Sequence, residues 1–224
     1  MKPIAVFYHC TFFNRSRQAP YPQAVPIISE QMSEMQESGL LDACSHMMAG
    51  VNGWCESLEL AYQNLPAKAR ICFYGLRSRS ENLTFVEIEK WVKDHPGWHV
   101  LYFHPKGLTH EAECGIATPW RRAMMRYCVA NWRECVADLD SGFESVGCHF
   151  FRNHLDGTQN FWPGNFWWTT SDFLKEVPSI LLRDRIKQSG IETDESRFEA
   201  EVWIGNGRVP KVKEYLPAGG EGVP

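Results

Sequence analysis

A short segment in the middle of the chain combines residue types that bind phosphate groups. Tyr102-Phe-His-Pro-Lys-Gly107 closes an apolar run, so His104, Lys106 and Gly107 follow a predicted strand on one tight loop. A glycine lets the backbone approach a ligand closely, and a lysine supplies a point charge suited to a diphosphate. The segment therefore predicts a diphosphate site. The alternative is a solvated lysine in a turn beside a core histidine.

A tryptophan-rich segment has residue types that recognise sugars. In Trp162-Pro-Gly-Asn-Phe-Trp-Trp168, the adjacent Trp167 and Trp168 point to opposite faces if the chain is extended. One ring would then pack in the core, while the other would form a platform for the apolar face of a sugar. Asn165 adds an amide that can donate to and accept from hydroxyl groups. The alternative is a packing cluster beneath a loop.

Two glutamates near the end of the chain are candidates for a general base. Glu199 and Glu201 lie in Arg197-Phe-Glu-Ala-Glu-Val-Trp203 and are about 200° apart on a helix, so one of them at most is expected to enter a site. A carboxylate can take the proton from a hydroxyl group that attacks a sugar. We predict Glu201 as the base and Glu199 as the second choice. The alternative is a salt bridge with Arg121 or Arg122.

No metal site is predicted. Asp138-Leu-Asp140 has the D-x-D pattern with which many sugar transferases hold a divalent metal, but it lies at a predicted helix end rather than after a strand. We interpret it as a solvated helix terminus. The histidines at 46, 95, 99, 110 and 149 show no ligand spacing. No cofactor is predicted, and a divalent metal (Mn or Mg) is disfavoured.

Apolar runs alternate with longer helical patterns, and this alternation predicts the fold. The predicted strands are 4–9, 45–50, 70–74, 98–103 and 143–150. The predicted helices are 26–38, 54–64, 84–94, which starts with the capping box Thr84-Phe-Val-Glu87, and 118–139. The pattern favours an α/β fold with a mainly parallel central sheet and helices on both faces. Ligands bind beyond the carboxyl ends of the strands of such sheets.

Composition and missing motifs exclude several classes of protein. The 224 residues carry a net charge of −4 with no block of like charge, which excludes a general nucleic-acid binder. No stretch approaches the roughly 20 apolar residues of a membrane span. The eight cysteines are spread along the chain and do not indicate a disulfide framework, which favours a reducing compartment. The absence of a C-x-x-C pair argues against a zinc site. P-loop, dinucleotide-binding and hydrolase signatures are absent. We expect one domain, 1–210, and a flexible tail, 211–224.

Five segments, which span residues 4–204 in order, together resemble a group of glycosyltransferase-like proteins with the GT-A fold. These proteins occur in bacteria and large viruses. The segments are Phe7-Tyr-His9, Ser38-Gly-Leu40, Tyr102-Phe-His-Pro-Lys-Gly107, Pro163-Gly-Asn-Phe-Trp-Trp168 and Arg197-Phe-Glu-Ala-Glu-Val-Trp-Ile204. The resemblance implies a nucleotide-sugar donor near the first and fourth strands and an acceptor near the tryptophan pair. His104-Pro105-Lys106 stands where D-x-D is expected, which argues against a metal requirement.

We also predict roles for residues at the ends of the first two strands. We expect Tyr8 and His9 to flank the nucleotide, and the turn from Gly50 to Gly53 to border the diphosphate. The predicted protein is a cytoplasmic hexosyl- or deoxyhexosyltransferase that acts on a glycan acceptor in surface polysaccharide synthesis. The alternative is a non-catalytic carbohydrate-binding module, which would keep the tryptophan platform but would not need Lys106.

Overall fold

The computed structural model describes residues 1–13, 20–75, 81–108, 117–153, 159–181 and 200–215. The strands of this part are β1 (Ile4–Thr11), β2 (His46–Asn52), β3 (Ala69–Gly75), β4 (His99–Phe103), β5 (Ser145–Cys148), β6 (Phe151–Asn153), β7 (Gln159–Phe161), β8 (Trp167–Thr170) and β9 (Val212–Tyr215). The helices are α1 (Ala24–Glu37), α2 (Leu40–Ala43), α3 (Cys55–Asn64), α4 (Asn82–Asp94), α5 (Ala117–Met125), α6 (Trp132–Asp140) and α7 (Ser171–Leu174).

The central sheet has the strand order β3-β2-β1-β4-β8-β5-β9, and β6 pairs with β7 apart from it. Strands β1 to β4 are mutually parallel, and β9 is parallel to β5. Strand β8 is antiparallel to both of its neighbours, β4 and β5. The prediction of an α/β fold with a mainly parallel sheet is confirmed.

Helices cover both faces of the sheet because the side chains of each buried strand alternate between two apolar layers. Tyr8 and its alternate neighbours on β1 pack in a cluster with α1 and the 117–140 segment. Phe7 and Ala5 pack in a second cluster with Phe85 and Ile88 of α4 and with α7. None of the described helices is both long enough and apolar enough to cross a membrane.

The segment predicted as one long helix over 118–139 contains a wide turn. Residues Arg126–Ala130 form a π-helical turn between α5 and α6. The indole nitrogen of Trp168 donates to the carbonyl oxygen of Cys128 within this turn, at 2.7 Å. A buried side chain of the sheet thus donates a hydrogen bond to a backbone carbonyl group of the π-helical turn. The helical pattern of the sequence did not predict this contact.

Two boundary predictions need correction. Val212–Tyr215 was predicted to lie in a flexible tail, but it forms β9 and pairs with β5 over its whole length. The domain therefore extends at least to Tyr215, and 216–224 lie outside the described residues. Helix α4 begins at Asn82 rather than at the predicted capping box, and the side chain of Thr84 binds His9 instead of a helix terminus.

Candidate active site

The loop after β4 is fixed from two helices. Gln31 of α1 donates to the carbonyl oxygen of His104 at 3.0 Å, and Arg121 of α5 donates to that of Lys106 at 3.2 Å. Gly107 has φ +98°, and a Cβ there would lie 3.2 Å from the Arg121 guanidinium. Glycine is therefore required for both the turn and the close approach of the arginine. The predicted loop holds its side chains in defined positions.

Lys106 lies against Glu201. Its ammonium nitrogen is 3.4 Å from Oε1 of the glutamate, and both side chains are about one-fifth exposed or less. The alternative partners predicted for this glutamate, Arg121 and Arg122, bind Glu30 instead. The structure thus brings together two predicted site residues that are 95 positions apart. Glu199 lies outside the described residues.

The antiparallel course of β8 positions Asn165 beside the same loop. Trp167 pairs with Tyr102 in the register of β4 and β8, so the residues before β8 lie next to those after β4. Asn165 is fully buried with φ +57°, and its amide nitrogen donates to Oε2 of Glu81 at 2.6 Å. The indole of Trp167 donates to the amide oxygen of Asn165 at 2.8 Å, which fixes the orientation of the amide.

Glu81 is the residue that joins these groups. Oε2 of Glu81 accepts from the hydroxyl of Tyr102 at 2.5 Å as well as from the amide of Asn165. Oε1 of Glu81 lies 3.4 Å from Nδ1 of His104. The other ring nitrogen of His104, Nε2, is 2.9 Å from the carbonyl oxygen of Gly164. Burial and the nearby Lys106 lower the pKa of His104 to about 4. Each ring nitrogen of His104 thus lies beside an oxygen atom, one from Glu81 and one from Gly164.

His9 is the centre of a second polar group, at the end of β1. Its Nδ1 lies 2.8 Å from the hydroxyl of Thr84, and its Nε2 lies 3.1 Å from both the Asn52 amide nitrogen and the hydroxyl of Thr11. Burial lowers the pKa of His9 to about 4, against a smaller opposite effect of Glu81. The imidazole is thus buried, neutral and hydrogen-bonded at both nitrogens.

The two predicted glycines lie beside this second group. Gly50 is opposite His9 in the register of β1 and β2. A Cβ at Gly50 would be 2.1 Å from the hydroxyl oxygen of Thr84, so this glycine makes room for the threonine that binds His9. Gly53 follows β2, and its N–H donates to the carbonyl oxygen of Gly75 at 3.1 Å. Both glycines thus pack against protein groups, and their contact with a diphosphate stays a prediction.

Three predicted ligand contacts are inaccessible in this structure. Tyr8 is fully buried and donates to Gln31 at 2.6 Å, so it supports the loop after β4 instead of facing a nucleotide. Trp167 and Trp168 lie in the two opposite core clusters, as predicted from their spacing. Both rings are completely buried, so neither forms a platform for a sugar. Their indole nitrogens bind Asn165 and the π-helical turn because buried indoles require acceptors.

Sequence reasoning missed Glu81 and misassigned Thr84. Glu81 lies directly before α4 and Thr84 lies in its first turn, at the carboxyl edge of the sheet where ligand sites are expected. That rule was applied to the first, second and fourth strands. If it had been applied to the third strand as well, Glu81 would have been a candidate. The contacts of Glu81 with Tyr102 and Asn165 depend on the register of β4 and β8, which local sequence patterns do not predict.

The D-x-D pair lies at the opposite edge of the sheet. Asp138 accepts from the hydroxyl of Tyr215 at 2.6 Å, and Asp140 is 3.4 Å from Lys2 and 3.2 Å from His99, the first residue of β4. Over the described ranges, no three or more His, Cys, Asp or Glu side chains are arranged to hold a metal. The acidic groups at the carboxyl edge, Glu81 and Glu201, are the ones that a ligand there would meet.

The sequence matches no family model and no curated protein sequence. Among solved structures, HddC from Yersinia pseudotuberculosis has a TM-score of 0.49 at 7% identity, over 96% of this chain and 90% of that one. A protein of Desulfovibrio desulfuricans, provisionally assigned as a nucleotide-diphospho-sugar transferase, has a TM-score of 0.47 at 10% identity, over 96% and 80%. CMP:2-keto-3-deoxy-manno-octonic acid synthetase with CTP has 0.43 at 8%, over 96% and 91%. Likeness of this degree concerns the path of the chain alone.

Proposed function

We propose that the protein transfers a sugar from a nucleotide-sugar donor to a glycan acceptor. The observation that carries this proposal is the convergence of His104, Lys106, Asn165 and Glu201 on one edge of the sheet. These residues come from three separate segments that sequence reasoning had singled out for diphosphate, sugar and proton-transfer chemistry. The carboxyl edge is where open α/β sheets bind their ligands.

The donor diphosphate is assigned to Lys106. In the ligand-free chain its ammonium group lies against Glu201, and a diphosphate would offer it a stronger anionic partner. Glu201 would then lose its cation and become available as a proton acceptor for the attacking hydroxyl, with Glu199 as the second candidate. The step is a displacement at the anomeric carbon in which the sugar–phosphate bond breaks as the bond to the acceptor oxygen forms. Lys106 stabilises the charge that builds up on the leaving diphosphate.

A transferase is favoured over a carbohydrate-binding module because of the burial of the tryptophans. The binding-module hypothesis requires an exposed aromatic platform, and the rings of Trp167 and Trp168 are both fully buried. The polar groups at the carboxyl edge, in contrast, are those that a phosphorylated sugar would need. The cytoplasmic location and the role in surface polysaccharide synthesis belong to the same proposal and rest on the sequence alone.

A thermal-shift screen tests the proposal. Nucleoside diphosphates, their sugar conjugates and nucleoside triphosphates are added with EDTA or with manganese. A ligand at 100 times its Kd stabilises the chain by about 2.7 kcal/mol, which gives a clear shift. We expect a nucleoside diphosphate and its sugar conjugate to bind without metal. A shift with nucleoside triphosphates alone would indicate nucleotidyl transfer. If no nucleotide shifts the Tm, the proposal is excluded. Binding that requires manganese would contradict the metal-free site.

A further inference from the structure

Two helices hold the backbone on both sides of Lys106. Gln31, which is fully buried on α1, donates to the carbonyl oxygen of His104 at 3.0 Å. Arg121 of α5 donates to the carbonyl oxygen of Lys106 at 3.2 Å, and its guanidinium packs closely against Gly107. The N–H of Lys106 donates to the carbonyl oxygen of His104 at 2.8 Å. Both backbone polar groups of Lys106 are therefore bonded within the protein.

Neighbouring residues of α1 fix the two side chains that hold the loop. The hydroxyl of Tyr8 donates to Oε1 of Gln31 at 2.6 Å, which orients the amide so that its nitrogen faces the loop. Glu30 lies 3.2 Å from Nη2 of Arg121, whose side chain is 7% exposed. One nitrogen of the guanidinium thus binds Glu30 while another binds the loop. A single turn of α1 is therefore connected to the loop by two routes.

Gln31 occupies a position where packing alone would favour an apolar residue. It lies on the buried face of α1, together with Ile28, Met32 and Met35. Burial of an amide costs free energy that its hydrogen bonds only offset, whereas an apolar side chain of similar size would gain free energy there. The contribution of Gln31 beyond packing is the fixed position of the loop after β4.

We propose that Gln31 and Arg121 are positioning residues for the donor diphosphate. They hold the backbone of Lys106 in one place, so that its ammonium group meets the diphosphate without an ordering of the loop during binding. A group that is ordered before the ligand arrives lowers the free-energy cost of binding. The identity of the ligand rests on the proposed function. Both residues act through Lys106, and neither one contacts the donor.

Two matched pairs of substitutions test this role. Arg121→Lys keeps the charge, but a single ammonium group does not reproduce the fork that spans Glu30 and the loop. Arg122→Lys is its control, because Arg122 is exposed and its described ion pair is with Glu30 rather than with the loop. Gln31→Met fills a similar space without a donor, and Gln36→Met, at an exposed position of the same helix, is its control.

The quantity to measure is the Kd of the nucleoside diphosphate that stabilises the chain most in the thermal screen. We expect Arg121→Lys and Gln31→Met to raise this Kd roughly 3- to 10-fold, as the loss of one hydrogen bond does, while both controls bind as the wild type does. The KM of the sugar donor rises by a similar factor, and that of the acceptor is unchanged. An equal Kd within either pair would remove that residue from the proposed role.

A double-mutant comparison separates positioning from a purely structural role. In a Lys106→Ala background, neither Arg121→Lys nor Gln31→Met should weaken binding further, because the residue that they position is absent. An equal loss of affinity with and without Lys106 would overturn the proposal. If Gln31→Met does not fold, Arg121→Lys, which keeps the buried cation, provides the same test.

Hydrogen exchange on the ligand-free chain distinguishes the failure of this role from the failure of the proposed function. The N–H of Lys106 is bonded within the loop, and we expect it to exchange faster in Arg121→Lys than in Arg122→Lys. Equal exchange would show that Arg121 does not hold the loop. If no nucleoside diphosphate binds the wild type, the proposed function fails. If one binds the wild type and all four variants equally, the positioning role is overturned while the transferase remains.

Discussion

Two histidines at the same edge of the sheet have opposite surroundings. Both His9 and His104 are neutral at pH 7, because burial lowers the pKa of each to about 4. At the end of β1, the Asn52 amide donates to Nε2 of His9, and Nδ1 lies beside a threonine hydroxyl that can accept its hydrogen. At the end of β4, the Nδ1 of His104 meets a carboxylate and has no donor among its described contacts.

This difference separates a supporting region from a region prepared for a ligand. A histidine whose two nitrogens are both satisfied by protein groups stabilises the fold and has nothing to offer a substrate. His104, in contrast, lies between Oε1 of Glu81 and the carbonyl oxygen of Gly164, at the loop that also carries Lys106. Lys106 and Glu201 lie beside the second histidine. We therefore expect substitutions there to affect activity and substitutions around His9 to affect stability.

The largest expected effect is that of Glu201→Gln. Glutamine keeps the shape and hydrogen-bonding capacity of the side chain but cannot take a proton, so turnover is expected to fall by roughly 100-fold or more with donor binding nearly intact. Steady-state kinetics and donor titration measure the two quantities, and Glu199→Gln is the matched comparison. If Glu199→Gln alone is inactive, the other member of the pair is the base. Normal turnover in both variants would place the base elsewhere.

Lys106→Ala is expected to have the next largest effect. Loss of a charge-assisted contact to the diphosphate weakens donor binding by about 1.5–3 kcal/mol, which is roughly 10- to 100-fold in Kd. Isothermal titration with the nucleoside diphosphate measures this change. Lys93→Ala, an exposed lysine near the end of α4, is the matched control and leaves the Kd unchanged. Equal donor affinity in the two variants would remove the loop from the donor site.

The fold was more predictable than the arrangement of the site. Periodicity alone located β1 to β5 and placed His104 and Lys106 after a strand, because buried strands and their ends have local signatures. Strand β9 was missed because Val212–Tyr215 has two adjacent charged residues at a partly exposed sheet edge, and therefore neither an apolar run nor an alternating pattern. Contacts between distant segments, such as Lys106 with Glu201, depend on the register of the sheet, and local sequence does not determine it.

The tryptophan pair illustrates the same limit. Its spacing correctly predicted that the two rings point to opposite faces, but it could not predict that both faces are covered. The ring of Trp167 is enclosed by the layer that contains α4, and that of Trp168 by the layer that contains the π-helical turn. The segment contributes to the site through the amide of Asn165 instead. A motif rich in aromatic residues thus predicts burial or recognition equally well until its neighbours are known.

The last and smallest expected effect is on the pH dependence of stability, and it compares the two histidines directly. An unfolded histidine has a pKa near 6.5, whereas folded His9 has a pKa of about 4. Between these values the unfolded chain binds more protons than the folded chain, so stability is highest above pH 6.5 and falls as the pH falls. For His9 the loss between pH 7.5 and 5.0 is about 2 kcal/mol.

His104, whose folded pKa is also about 4, is expected to contribute a loss of the same size. Urea unfolding of the wild type, His9→Gln and His104→Gln at the two pH values measures both losses. Each substitution should flatten the pH dependence of the free energy of unfolding by about 2 kcal/mol. A pH dependence that stays unchanged in either variant would show that the corresponding histidine is not held in its neutral form by the fold.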